Sequence, residues 1–226
     1  MITRLTTTLA LLPALGVVAA CATGSQAEHQ KSAQVAIPGD TRTGGIDTTA
    51  NAQQAYTAAD IHFMGGMIGH HAQAIVMAQW APSHGASPSI QTLAGRIINA
   101  QRDEIAAMEK WLRDRRQPLP KTSAHGIMMK RNGVEHEMTM PGMLTDAQLK
   151  QLDQARGKEF DRLFLIFMIQ HHRGAVTMVQ GLFDTQGAAQ DISVYKLASD
   201  VFADQTTEIE RMQKMLASTI FDTDAP

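Results

Sequence analysis

The chain has 226 residues, with 20 Lys and Arg against 22 Asp and Glu, nine histidines, 14 methionines and a single cysteine. A formal charge of −2 without a basic cluster speaks against nucleic acid as a partner. One Cys rules out an intramolecular disulfide and any thiolate-built zinc or iron–sulfur centre, so a metal would have to be held by His, Met, Asp or Glu.

Residues 1–20 read as a secretory signal peptide. Met1 to Arg4 is a short positive start, Leu5 to Val18 is apolar, and small residues precede Cys21. The apolar stretch is too short to span a bilayer comfortably. Val18-Ala19-Ala20-Cys21 resembles the lipobox of bacterial lipoproteins, which predicts lipidation of Cys21 as the chain's only membrane contact. Ordinary cleavage, leaving Cys21 as a free thiol, is the alternative. Residues 21–53 are rich in Ser, Thr, Gly, Gln and Ala, lack apolar periodicity and read as a flexible tether.

From residue 54 to 218 the pattern is that of an all-α four-helix bundle. A first helix over Ala55–Trp80 carries Ile61, Met64, Ile68, His71, Ile75 and Ala78 at steps of three and four. "APSHGASPS" (81–89) is a turn, and Ile90–Arg115 is a second amphipathic helix. Residues 116–144 form a long connection without a convincing strand. A third helix is predicted from Thr145, as cap, to about Phe183, followed by the turn "DTQGAAQD" (184–191) and a fourth helix from Ile192 to about Ser218.

The two halves, 54–115 and 145–218, repeat one another. Asp60 aligns with Asp161, Phe63 with Phe164, Met67 with Met168, Ile68 with Ile169, and both His pairs coincide. Ala74 then meets Ala175, Met77 meets Met178, and "QRDEIAAM" (101–108) matches "QTTEIERM" (205–212) in Gln, Glu, Ile and Met. Each half is therefore one helical hairpin, and two hairpins make a four-helix bundle.

The repeated core is Met-Ile-X-His-His. On a helix His70 and His71 point about 100° apart, and Met67, three and four residues earlier, neighbours both. Met64 lies one turn before it and Met77 further along, while Met168 stands in the same relation to His171 and His172. Imidazole beside thioether suits copper above zinc. Counting outward from each turn puts Glu104 level with the first His pair and Glu208 level with the second, with Met108 and Met212 one turn beyond. Glu104 and Glu208 are candidate ligands, or they simply accept hydrogen bonds from the imidazoles, with Met as core filler. The recurrence of the whole pattern favours metal.

The connection adds soft donors. "HGIMMKRNGVEHEMTMPGM" (125–143) holds His125, Met128, Met129, His136, Met138, Met140 and Met143. Met138, Met140 and Met143 resemble the Met-rich segments that carry copper(I) in exported copper proteins. A loop folding back to cover the bundle with its Met side chains would also explain them, and both can hold.

"FMGGMIGHHAQAIVMA", "HEMTMPGML", "FDRLFLIFMIQHHRGAVTMV" and the two Gln-x-x-Glu-Ile-x-x-Met segments together resemble the exported ferritin-like proteins of the domain-of-unknown-function-305 family, over about Ala55–Leu216. The resemblance implies copper binding in the periplasm and copper tolerance. By position it implies Met64, Met67, His70, His71, Met168, His171 and His172 as ligands, with Met138, Met140 and Met143 in the loop. Leu165 stands where the repeat of Met64 would be, which weakens the second site.

The leading functional expectation is a lipid-anchored, non-enzymatic protein that sequesters or delivers copper, Cu(I) above Cu(II), in the cell envelope, with an unidentified transport partner. A tethered non-metal interaction module is the alternative. A ferritin-like oxidoreductase is disfavoured, because the Glu-x-x-His of di-iron sites is absent: Ala107 follows Glu104 and Arg211 follows Glu208 at the third place.

Overall fold

A capping box starts the first helix: Thr57 Oγ1 accepts from Asp60 N (3.2 Å) and the Asp60 carboxylate accepts from Thr57 N (2.6 Å). This helix, α1 (Ala58–Gln79), buries residues on every side because it packs against its hairpin partner, the second half and the connection alike. The computed structural model describes residues 56–123, 127–131 and 134–221, with side chains over 56–123 and 138–218. The expected signal peptide, tether and Cys21, together with His125 and the side chains of Met128, Met129 and His136, lie outside these residues.

Helix α2 (Pro88–Asp114) begins with Pro at its first turn, where a missing N–H costs nothing. It pairs with α1 as the first hairpin. The connection that follows, expected to hold no strand beyond short ambiguous pieces, contains three among the described residues. β1 (Lys121–Thr122), β2 (Ile127–Arg131) and β3 (Val134–Met138) form an antiparallel sheet in sequence order, with Met128 opposite Glu137 and Met129 opposite His136. The signal was present in the sequence: Asn132-Gly133 separates two five-residue runs, which is the strongest short-range mark of a hairpin.

The expected third helix is two helices. α3 (Asp146–Gln154) opens with the Thr145 capping box, as read from the sequence. Ala155 and Arg156 are then extended, and Gly157 takes a positive φ of 57° before α4 (Gly157–Phe183) begins. The break is held by His84 in the α1–α2 turn. Its carbonyl accepts from Gly157 N (2.9 Å), and its Nε2 reaches the Asp153 carbonyl (2.9 Å). Helix propensity alone would run on; the turn of the other hairpin captures the chain instead. Helix α5 (Ile192–Phe221) completes the second hairpin against α4.

The repeated aspartates lock the two hairpins together. Asp60 of α1 accepts from Ala189 N in the α4–α5 turn (2.7 Å), and Asp161 of α4 accepts from Ser87 N in the α1–α2 turn (3.1 Å). Each half thus ties down the other's turn, and α1 and α4 meet directly at the centre. The result is a four-helix bundle of two duplicated hairpins, with α3 and the small sheet in the connection between them.

The apolar core comes in two blocks. One holds Met77, Ile97, Phe160, Phe164, Met168 and Met212, and the other holds Phe63, Met64, Met67, Met108, Val179 and Val201. On all four long helices the residues between these blocks are polar: His70–His71, Gln101–Glu104, His171–His172 and Gln205–Glu208. A polar layer therefore crosses the bundle at mid-height.

At one end, Asp191 caps α5 by accepting from Ser193 N and Val194 N, takes the Trp111 indole N–H, and pairs with Arg115. Burial acts to raise its pKa, but Arg115 and these N–H donors outweigh it and hold the carboxyl below the usual value. Asp191→Ala should lower stability by about 2 kcal/mol, the sum expected for a lost cap and a lost partly buried ion pair. Urea unfolding at neutral pH measures it, and a loss below about 0.5 kcal/mol would show that water replaces these contacts.

Candidate functional site

All four repeated histidines are 0% exposed. His70 and His171, from α1 and α4, pack with ring centroids 3.8 Å apart and their planes tilted by 39°, and each sits 6.3 Å from its sequence neighbour His71 or His172. The outer pair reach across their own hairpins: His71 Nε2 lies 2.6 Å from Glu104 Oε2, and His172 Nε2 lies 2.7 Å from Glu208 Oε2. The level pairing expected from the turn midpoints is thus a direct contact made by the second His of each pair. The glutamates are near the surface, 13% and 22% exposed, so the layer runs from a wet rim to a dry centre.

The centre is short of hydrogen-bond partners. His70 Nδ1, His71 Nδ1, His172 Nδ1 and both nitrogens of His171 are buried with none among the described residues. Gln101 and Gln205, one turn before the glutamates, are also buried, and both amide atoms of Gln101 and the Oε1 of Gln205 lack partners. So many orphan polar atoms in one place are far from ordinary for a protein core, where nearly all are paired. A bound ion is one way to satisfy them.

Burial, reinforced by the neighbouring His71 and His172, lowers the His70 pKa from 6.5 to about 3, against the opposing pull of the Pro141 hydrogen bond. His171 is likewise driven well below 6.5, by burial first and then by His70, His172 and His71. The His70 main chain offsets a little of this for His171 but makes no hydrogen bond to it. Both central imidazoles are therefore neutral at physiological pH, the form that binds metal. On the rim, burial and the nearby Glu104, Glu208 and Asp200 carboxylates raise the pKa of Asp204. The shift reflects the clustering of these carboxylates, which makes the α2–α5 edge of the layer electronegative.

A strap from the connection closes the opposite face. His70 Nε2 lies 3.0 Å from the Pro141 carbonyl, Gln73 pairs with Leu144 through both its amide N (3.1 Å) and its oxygen (2.7 Å), and Gln170 Nε2 donates to Gly142 O (3.3 Å). The backbones touch at Gly174, where an added Cβ would fall 1.9 Å from the Pro141 oxygen. Gly142, at φ 77°, needs the left-handed conformation for this approach. The strap also delivers thioethers. Buried Met140 and Met143 pack with half-buried Met138 and Met178, and an added Cβ on Gly66 would lie 3.1 Å from Met140 Sδ.

The donors named from sequence therefore divide into three groups. His70, His71, His171 and His172 form the layer, with Glu104 and Glu208 bonded to its outer imidazoles. Met138, Met140, Met143 and Met178 form a thioether cluster under the strap, and Met178 also packs against the second apolar block. Met64, Met67 and Met108 belong to one apolar block and Met77, Met168 and Met212 to the other, so these six fill core positions above and below the layer. His136 lies in β3 opposite Met129. Among the described residues no three His, Cys, Asp or Glu side chains converge as a ready-made cage, so an ion here would recruit softer donors or draw the imidazoles together. Gln101, Gln205, Gln73 and Gly174 were not singled out from sequence. The first two stood in the repeated Gln-x-x-Glu-Ile-x-x-Met, but the other two have no local signature.

Comparison with known proteins places the chain. Residues 60–216 match the model of the family described as Domain of unknown function (DUF305), and the chain belongs to that family. It is similar in structure to a DUF305 protein of Streptomyces coelicolor described as secreted (31% identity, TM-score 0.59, 71% of this chain and 93% of that one). A DUF305 fragment from Deinococcus radiodurans matches at 27% identity and TM-score 0.58, over 72% and 98% of the two chains. CopM in its Cu(I)-bound form matches at 28% identity and TM-score 0.53, over 70% and 96%, and CopM has also been solved with Cu(II) and with Ag bound. An uncharacterized protein of Acanthamoeba polyphaga mimivirus, L153, is 39% identical over 57 residues, and the match spans only 38% of that protein and 25% of this chain.

Two outcomes follow from the geometry. In the metal-free protein the unfolded chain binds protons near pH 6.5 that His70 refuses until about pH 3. Stability is then full above pH 6.5 and falls as the pH drops towards 3. Urea midpoints between pH 7.5 and 5 should decline, and the decline should flatten in His70→Gln; a flat wild-type profile over that interval contradicts it. Gly174→Ala should lift the strap at a cost of about 1–3 kcal/mol. Amide exchange of residues 140–144 would then quicken, and unchanged exchange would mean the backbone shifts to accommodate the methyl.

Proposed function

We propose that this DUF305 protein is an exported copper-binding protein that sequesters or delivers copper in the bacterial cell envelope. The observation that carries the proposal is the buried layer of four imidazoles, each with at least one nitrogen that has no partner among the described residues, beside a cluster of four thioethers. Imidazole accommodates Cu(I) and Cu(II) alike, whereas thioether favours Cu(I). The chain has no thiolate to offer apart from Cys21. In an oxidising compartment that is an advantage, because His and Met sites are not lost to disulfide formation. The copper-bound forms of CopM support the reading by similarity.

The two donor groups suit different tasks. The imidazole layer is dry and central, which favours retention. The thioether cluster lies between the strap and α4, with Met138 and Met178 only half-buried, which favours exchange with a partner. The S. coelicolor relative described as secreted is consistent with export through the signal peptide, and we assign Cys21 as the lipid-anchor site. Binding, rather than turnover, is the role proposed.

Titration of the purified protein with Cu(I) against a chromophoric competitor, with zinc as control, tests this. Tight Cu(I) binding is expected. Replacing His70, His71, His171 and His172 together with Gln should weaken it at least about 100-fold, near 2.7 kcal/mol, while circular dichroism stays helical. Replacing Met138, Met140 and Met143 with Leu should remove a separate, weaker equivalent of copper. Copper affinity no better than zinc affinity would sink the proposal.

A further inference from the structure

The imidazole layer has two nitrogens per ring to offer, and the hydrogen bonds around it distinguish them. Resting on the copper reading above, we propose that the layer receives its ion through Nδ1, with Glu104, Glu208 and the Pro141 carbonyl as positioning groups that hold each ring proton on Nε2.

Three contacts carry the argument. His71 Nε2 meets Glu104, His172 Nε2 meets Glu208, and His70 Nε2 meets the Pro141 carbonyl, at 2.6, 2.7 and 3.0 Å. Carboxylate and carbonyl oxygens only accept, so the hydrogen in each bond belongs to Nε2. A second hydrogen on Nδ1 would be buried with no acceptor, because all three Nδ1 atoms lack partners among the described residues. That desolvated N–H would cost several kcal/mol. The rings are therefore neutral Nε2–H tautomers, each presenting an Nδ1 lone pair to the dry interior.

Direct ligation by the glutamates fits less well. Two donors bound to one ion at about 2.0–2.1 Å in a tetrahedral arrangement stand about 3.3 Å apart. The His71–Glu104 and His172–Glu208 separations, 2.6 and 2.7 Å, are hydrogen-bond distances. An imidazole whose far nitrogen donates to a carboxylate or a main-chain carbonyl is the usual support of a metal-binding histidine. It fixes the tautomer and ring orientation and raises the basicity of the other nitrogen. The three rings use both kinds of acceptor.

His171 is the exception that completes the arrangement. Neither of its nitrogens has a partner among the described residues, and its ring lies 3.8 Å from that of His70, centroid to centroid. No hydrogen bond among the described residues fixes its tautomer, so either nitrogen is open to the ion. The difference between His70 and His171 originates in the strap. Gln73 holds Leu144, and Gly174, its counterpart in the repeat, admits Pro141, so the Pro141 carbonyl reaches His70 and not His171.

Side-chain ¹⁵N–¹H spectra of the histidines test this, first in the metal-free protein and then with Cu(I) added under anaerobic conditions. Expected are Nε2–H tautomers for His70, His71 and His172 without metal. On adding Cu(I), Nδ1 resonances should shift while the Nε2–H signals persist. Nδ1–H tautomers, or a copper shift at Nε2, would overturn the assignment while leaving copper binding intact. Copper that moves no histidine resonance would instead overturn the copper reading of the layer, and Nδ1 ligation with it. A paired substitution separates support from ligation. Glu104→Ala with Glu208→Ala should weaken Cu(I) binding roughly 10–100-fold. Glu104→Gln with Glu208→Gln, whose amide oxygens still accept from Nε2–H, should retain most of the affinity. Equal losses in the two variants would make the carboxylates ligands and end the proposal.

Discussion

Four imidazoles and two carboxamides, all nearly inaccessible to water, cross the middle of a bundle that is otherwise apolar. Burying such groups is unfavourable unless they are paired, and here, among the described residues, pairing is confined to the outer imidazoles and one nitrogen of His70, apart from part of Gln205. The rest of the molecule is arranged around that constraint. The glutamates that satisfy the outer imidazoles sit at the rim, where their charge keeps some contact with water. The apolar core is split into two blocks, one on either side. The hairpins are bound together at their ends by Asp60 and Asp161, so the centre need not supply all the cohesion.

Duplication makes the two halves alike, and the connection makes them differ. An isolated pair of hairpins would give His70 and His171 equivalent surroundings. The strap removes the equivalence by resting one carbonyl on His70. It can lie that close because Gly174 has no side chain at the point of contact. The same segment explains why the aligned Met77 and Met178 behave differently. Met77 is 0% exposed in a core block, whereas Met178 is half-buried and turns to the thioethers the strap brings in. A symmetric scaffold with an asymmetric cover thus yields two donor sets of different chemistry.

Those sets are also separated in softness. Nitrogen donors occupy the dry interior, and sulfur donors the boundary between strap and helix. Under the proposed copper reading, the half-buried thioethers suit exchange of a soft monovalent ion, while the imidazoles suit its retention in a medium where every interaction is stronger. The electronegative α2–α5 edge, where Glu104, Asp204 and Glu208 lie near one another, offers cations a favourable potential at the opposite side of the layer.

Much of this was written locally in the chain. The helical period, the Thr145 cap, the two turns and the repeat determined the four long helices and their pairing into hairpins, because each signal acts over a few residues. Equal distance from the turns sufficed to set Glu104 beside the first His pair and Glu208 beside the second. Other features depended on segments far apart in sequence. The break before Gly157 exists because His84 of the other hairpin captures the chain there, and no local propensity reports that. The strap's contact with His70 needs Gly174 and Gln73, whose roles appear only when Pro141 and Leu144 arrive from about 30 and 70 residues away. Sequence set Met138, Met140 and Met143 of the connection apart but read the helical methionines alike. Which of them fill the apolar blocks and which gather under the strap was decided by tertiary packing, since a thioether is equally at home as core filler or as donor and its neighbours settle the matter.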